Sequence, residues 1–281
     1  MRRHAFHLVN VFATSPLSGN ALCVFEDGAA LTDEQMQALA RQFNLSETSF
    51  LLPSAVATAR VRIFTPGFEM PFAGHPTLGS AHVVRLLRGG TGDALTLETK
   101  AGVVAVEASG DVWTLQAKAP RVRAAEASQA EIAAMLGLRE ADLDSGAMWV
   151  DTGSEQLVVP LLSTEAIDRC HPDPALLAKH GSNARRDTLV LAWAPGAGDA
   201  VVSRFFFLNH DALVEDPGTG SACANLGGWF LATGAALPVT RTIAQGAHTG
   251  RSCRLGLRVD VEKRIYVTGA VIAIGSGHVT I

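Results

Sequence analysis

Cysteine is scarce in this chain of 281 residues: Cys23, Cys170, Cys223 and Cys253 lie far apart, with no Cys-x-x-Cys spacing. A zinc knuckle and a disulfide framework are thereby excluded, and a reducing cytoplasm is the expected compartment. Basic charge is also thin, since 23 Lys and Arg scattered among 27 Asp and Glu leave a formal net charge of −4. Such a surface offers no field for nucleic-acid phosphates or anionic membrane, so neither is expected as a partner. Long apolar runs are missing as well, residues 270–274 being far shorter than the ~20 residues that span a bilayer. The basic start Met1-Arg2-Arg3 leads into His4, His7 and Asn10 rather than an apolar stretch, and reads as a first strand instead of a signal peptide. Several catalytic templates are absent too. Ser80 and Ser221 sit in no Gly-x-Ser-x-Gly elbow, and no Lys-Ser/Thr follows the glycine-rich turns as a P-loop requires. His171-Pro172-Asp173 imitates part of an iron site, but no distal histidine completes it and Asp173 has a better use as a helix cap, so metal is disfavoured.

What the chain does have is apolar material, 48% of its residues, enough to fill well-packed cores. Short stretches rich in Val, Ile, Phe, Leu and Thr recur at 5–12, 22–25, 60–65, 95–98, 103–107 and 112–116. They return at 156–161, 189–193, 201–208, 254–259 and 266–274, so the protein is strand-rich. Helices are fewer and carry readable ends. Thr32 with Gln35 forms a capping box for a helix to about Phe43, Ser128 with Glu131 forms another stopping near Gly137, and Asp173-Pro174 opens a third closed by Gly181. Two more helices are expected over 76–87 and 220–231, each opening on small residues and turning bulky and apolar. The stretch 119–127, with Pro120 and alternating Arg and Ala, is the best candidate for a linker.

The pattern Pro-x-x-Gly-Ser-Ala occurs at Pro76 and again at Pro217, 141 residues apart, so the chain looks duplicated. A register that pairs Gly74 with Gly218 is equally admissible. Each copy opens a helix and follows a titratable residue, His75 in one case and Asp216 in the other. The N-terminus of a helix presents unpaired N–H groups and the positive end of its dipole, a ready site for a carboxylate, phosphate or developing oxyanion; the same residues also serve as ordinary helix starts. Glu47 lies between the end of a helix and an apolar strand. Lost hydration there favours its protonated form and moves it toward acid–base use, the alternative being a solvated turn residue. His82 falls inside an apolar helix as a core or dimer-facing residue, while His210, His248 and His278 belong to turns or strand ends.

Together these residues resemble the phenazine-biosynthesis PhzF-like isomerase family, a branch of the diaminopimelate epimerase-like fold. The resemblance is carried by Val11-Phe12-Ala13 with Gly19-Asn20, Asn44-Leu45-Ser46-Glu47, Ile63-Phe64-Thr65-Pro66, Pro71-Phe72-Ala73-Gly74-His75-Pro76, and Val214-Glu215-Asp216 through Thr219-Gly220-Ser221-Ala222. The chain departs from the family at Asn10, where Asp is usual, and at Ala21, where Pro commonly follows Gly-Asn. The resemblance implies an α+β protein of two pseudo-symmetric domains, each a barrel-like, mainly antiparallel sheet wrapped around a central helix. Their expected extents are 1–118, completed by 270–281, and 126–269, with the site in the cleft between them. It implies a cofactor-independent isomerase that moves a proton between carbons of a small, cyclic, carboxylate-bearing substrate, without metal, and that forms a homodimer. Glu47 becomes the general acid/base, His75 and Asp216 its catalytic partners, and Gly74, Thr219, Gly220 and Ser221 substrate-binding groups. The two-thiol mechanism of epimerase relatives is excluded because the turns carry Ala73-Gly74-His75 and Pro217-Gly218-Thr219, and Cys223 is left to packing. Two other readings stay open: an epimerase using two acid/base groups, and a non-catalytic protein that binds small anions.

Overall fold

Strands buried on both faces read as near-continuous apolar runs, as at 20–25, and the computed structural model closes the strands of the first part of the chain into a barrel. It describes residues 1–209 and 211–281; His210 lies outside the described residues. The chain divides into two units, Met1–Gln116 with Thr268–Ile281, and Ala117–Val267.

The first unit runs β1 (Arg3–Val11), β2 (Asn20–Phe25), α1 (Asp33–Phe43), β3 (Glu47–Leu52), β4 (Ala59–Phe64), β5 (Glu69–Met70), α2 (Gly74–Leu87), β6 (Ala94–Thr99), β7 (Gly102–Ser109) and β8 (Val112–Gln116). Pairing goes from β1 to β2 antiparallel, to β3 parallel, to β4 antiparallel, to β6 parallel, then to β7 and β8 antiparallel. The ring closes through β17 (Ile265–Thr280), a strand that pairs with both β8 and β1. On the outer face Cys23, Phe25, Phe50 and Phe64 gather with Leu31, Met36 and Leu39 beneath α1. On the inner face α2 packs against β1, β2, β3, β4, β6 and β8. Nearly all of its residues from His75 to Arg85 are buried, as a helix lined by sheet on every side requires. Gly79 makes that fit possible: a Cβ there would lie 2.6 Å from Leu22 Cδ2 and 3.0 Å from Val11 Cγ2. The small residues thus admit strand side chains rather than backbone.

The second unit runs β9 (Arg121–Ala124), α3 (Gln129–Met135), β10 (Met148–Asp151), β11 (Glu155–Pro160), α4 (Thr164–Arg169), α5 (Pro174–His180), β12 (Leu189–Pro195), β13 (Ala200–Asn209), β14 (Ala212–Asp216), α6 (Gly220–Ala232), β15 (Val239–Gln245) and β16 (Cys253–Val259). The stretch 119–127 is therefore not a free linker. Its centre is β9, paired antiparallel with β10, and the Arg123 guanidinium lies 4.5 Å over the Trp149 ring. From β10 the order is antiparallel to β11, parallel to β12, antiparallel to β13, parallel to β15 and antiparallel to β16. That succession repeats the one from β1 to β7. α6 takes the place of α2, packing against β9, β10, β11, β15 and β16. Gly227 and Gly228 admit Ile265 and Val150, whose side chains a Cβ would meet at 2.8 and 2.7 Å. The protein is thus α+β, with a central helix in each unit, as the resemblance implies.

The duplication has a register that differs from both sequence expectations. Helix α2 begins at Gly74, two residues before Pro76, whereas α6 begins at Gly220, three residues after Pro217. The equivalent segments are Glu69-Met70-Pro71-Phe72-Ala73-Gly74 and Glu215-Asp216-Pro217-Gly218-Thr219-Gly220, a Glu-x-Pro-x-x-Gly repeat 146 residues apart. Each Glu is held by an arginine on the preceding strand. Arg62 Nε and Nη2 donate to Glu69 at 2.8 and 2.9 Å, and Arg204 Nε and Nη2 donate to Glu215 at 3.1 and 2.7 Å. Each arginine also covers a phenylalanine two residues on, Phe64 at 5.1 Å and Phe206 at 4.8 Å. The fork-to-carboxylate geometry fixes the chain's entry into each central helix. Pro-x-x-Gly-Ser-Ala is a coincidence of residues that helix starts favour.

Candidate active site

Among the described residues, six α-helices fall into two groups by how they begin. Thr32, Ser128, Ser163 and Asp173 accept hydrogen bonds from the third helical residue of α1, α3, α4 and α5. The N-caps of the central helices, Ala73 and Thr219, make no side-chain cap at all. The first intrahelical donors are Thr77, to Ala73, and Cys223, to Thr219, so the N–H groups at positions 74, 75 and 220–222 have no acceptor within their helices. Pro76 removes the remaining donor of the α2 start.

Glu47 reaches the first of these starts. α1 ends on Asn44 in the left-handed conformation (φ 50°), which a short polar side chain tolerates, and the chain turns directly into β3 with Glu47 as its first residue. Alternation then puts Phe50 on the outer face under α1 and turns Glu47 inward. Its Oε2 lies 3.3 Å from His75 Nε2, with 15% of the Glu47 side chain and 5% of the His75 side chain exposed. Burial pushes the His75 pKa down to about 3, opposed weakly by a hydrogen bond to the Ala21 backbone. The imidazole is therefore neutral at physiological pH, and the contact is one between a neutral ring and a carboxyl group rather than a salt bridge. Asn20 Nδ2 lies 3.5 Å from His75 Nδ1 on the ring's other side.

The α6 start carries a second group. Asp216 ends β14, and the Thr219 hydroxyl donates a short hydrogen bond to its Oδ2. Gly220 and Ser221 are the first two residues of α6, and the Ser221 hydroxyl accepts from Gln156 Nε2 at 2.8 Å. Gln156 stands in the second unit where Asn20 stands in the first, near the start of the second strand and against the second residue of the central helix. The Cys223 thiol is buried, its pKa raised by desolvation, and it lies 3.8 Å from the Gly256 carbonyl. The structure thus collects the sequence-predicted residues into two groups: Glu47, Gly74 and His75 in the first unit, and Asp216, Thr219, Gly220 and Ser221 in the second. Gln156 and Gln245 were not anticipated. For Gln156 the available signal was an amide at an inward position of a mainly apolar strand; Gln245 ends a strand of mixed polarity and carried no such signal. Among the described residues no cluster of three or more His, Cys, Asp or Glu is arranged to hold a metal ion, and no helix is long and apolar enough to cross a membrane.

A barrel around a helix whose uncapped start meets a carboxyl and a neutral imidazole defines a class, and comparison with known proteins agrees. The model of the phenazine biosynthesis-like protein family, PhzC-PhzF, matches residues 9–277. An uncharacterized isomerase of Pasteurella multocida is 42% identical over 98% of this chain and 93% of its own length. The trans-2,3-dihydro-3-hydroxyanthranilate isomerase of Pseudomonas aeruginosa is 36% identical over 92% of this chain and 91% of its own. The crystal structure of a PhzF-family protein from Bacillus anthracis superposes with a TM-score of 0.87 at 25% identity, covering both chains fully. The chain belongs to the phenazine biosynthesis-like family and is an isomerase acting on a small molecule.

Proposed function

We propose that this isomerase moves a proton between carbons of a small, cyclic carboxylate, with Glu47 as the general acid/base. The observation that carries the reading is the Glu47–His75 contact at the uncapped start of α2. Abstracting a proton from carbon needs a positioned base in a dry environment, and both residues are largely buried. As a neutral ring, His75 lies against the Glu47 carboxyl and helps to orient the substrate without adding a second charge in a buried place. The backbone N–H groups at Gly74 and His75, and those at Gly220 and Ser221, suit the substrate carboxylate and the negative charge that develops on proton removal. Asp216, with Thr219, orients polar groups of the same substrate. The substrate of the Pseudomonas aeruginosa relative, a dihydro-hydroxyanthranilate, is the first compound to try. The reading includes a homodimer acting in the cytoplasm and requires no metal or organic cofactor.

Incubation with trans-2,3-dihydro-3-hydroxyanthranilate and related cyclic carboxylates in heavy water, followed by NMR, tests this function. The proposal expects deuterium at one carbon and a shifted double bond. Inversion at a stereocentre would make the protein an epimerase, and binding without exchange at carbon would make it a small-anion binder; either outcome overturns the proposal.

A further inference from the structure

The turn before α6 is gripped by a residue whose role in the chemistry is not evident from the turn itself. Gln245, the last residue of β15 and 3% exposed, places its amide against that turn with three hydrogen bonds. Its Nε2 donates to the Asp216 carbonyl at 2.9 Å and to Thr219 Oγ1 at 3.0 Å, and its Oε1 accepts from the Thr219 N–H at 3.4 Å. The backbone fixes which end of the amide is which, because a carbonyl only accepts and an N–H only donates. Gly246 keeps this strand end close: a Cβ there would lie 2.4 Å from the Pro217 carbonyl oxygen.

The bookkeeping of donors then has one solution. Nε2 has only protons to offer, so the Thr219 hydroxyl must accept from it and turns its own proton onto Asp216 Oδ2. That use explains why a threonine at the N-cap of α6 leaves its helix uncapped. We propose that Gln245 and Thr219 are positioning residues, a one-way hydrogen-bond relay that holds Asp216 as an oriented carboxylate for the substrate. The inference rests on the reading that Asp216 meets substrate. An ionised Asp216 accepts the threonine proton as a charge-assisted hydrogen bond, which is stronger than the bond a protonated carboxyl would make. Among the described residues, Glu215, Arg204, Arg251 and Cys253 are titratable or charged groups around the turn. Glu215 is committed to Arg204 and the first turn of α6 carries no charged residue. Cys253 feels both Asp216 and Arg251, and burial pushes its thiol up to about 12, so it stays neutral.

The test is a titration of the Asp216 carboxylate by carbon-13 NMR in the full-length protein, its resonance assigned by loss in Asp216→Asn. Thr219→Val removes the donor and should move the midpoint to higher pH by about one unit, the worth of a hydrogen bond to a charged group. Gln245→Leu frees the threonine proton to turn elsewhere and should move the midpoint in the same direction by less, while Thr219→Ser should restore the wild-type value. A midpoint unchanged in Thr219→Val, with Thr219→Ser behaving identically, would overturn the relay. A fully active Asp216→Asn would instead overturn the reading of Asp216 as a substrate contact, whatever the titration gives.

Discussion

The two units share a strand order and an arginine-to-glutamate brace, yet the starts of their central helices are equipped differently. At α2 the second helical residue is His75, buried and facing the Glu47 carboxyl; at α6 it is Ser221, held by Gln156. β3 opens with Glu47, whereas β12, in the matching place of the second unit, opens with Leu189. Conversely, Asp216 stands where the first unit has Met70. A duplicated backbone therefore supplies two uncapped helix starts, and under the proposed function their unrepeated side chains divide the work between proton transfer and orientation. Duplication conserves the arginine-to-glutamate brace and varies the side chains at the two helix starts.

The largest difference between the units should appear in turnover. Glu47→Gln is expected to lower it by about 10³-fold, the usual worth of a positioned acid/base, whereas Asp216→Asn, which removes orientation, should lower it by about tenfold. Equal losses measured by steady-state kinetics would erase the division of labour. Next come the braces. Arg62→Met leaves the Glu69 carboxylate, 17% exposed, without its fork and should destabilise by about 2 kcal/mol. Arg204→Met should cost about 1 kcal/mol more, because Arg204 also donates to the carbonyls of Cys170 and Ile167, at 2.8 and 3.3 Å, whereas the further bond of Arg62 goes to the exposed Asp33 and Glu69 keeps Lys100. Urea unfolding of both variants checks the order.

Gly79→Ala and Gly227→Ala probe the two helix–sheet fits and should each destabilise by about 1–3 kcal/mol through overpacking. A neutral Gly79→Ala, in particular, would mean that Leu22 and Val11 yield more easily than their burial suggests. A further difference concerns pH. Buried neutral His75 has a folded pKa near 3 against an ordinary 6.5, so it takes up a proton on unfolding, and wild-type stability should fall as pH drops between those values. His75→Gln should remove up to one proton from that dependence, seen as a shallower loss of Tm from pH 6.5 to 4. Ser221→Gln, at the matching position, should leave the slope unchanged.

Local signals were legible in the sequence and distant ones were not. The capping boxes at Thr32–Gln35 and Ser128–Glu131, and Asp173 before Pro174, each need only four adjacent residues and form as expected. β9 was hidden because its partner β10 lies beyond α3, so nothing within 119–127 announces a strand. α4 escaped because it is only six residues long and Ser163 caps it without a box partner. The register of the duplication misled for a physical reason: small residues and proline recur at any helix start. The diagnostic pairs, Arg62 with Glu69 and Arg204 with Glu215, lie across hairpins of different length. At the site, Glu47 and His75 stand 28 residues apart in sequence, and their contact follows from β3 lying beside α2, which no periodicity states.

The central claim is that Glu47 itself carries the proton. Glu47→Gln should bind the substrate that the wild-type enzyme turns over, with comparable affinity by calorimetry, and the decisive measurement is the rate at which that bound substrate takes up deuterium from heavy water. The account predicts that uptake at carbon falls by about 10³-fold while binding persists; uptake at the wild-type rate would contradict it.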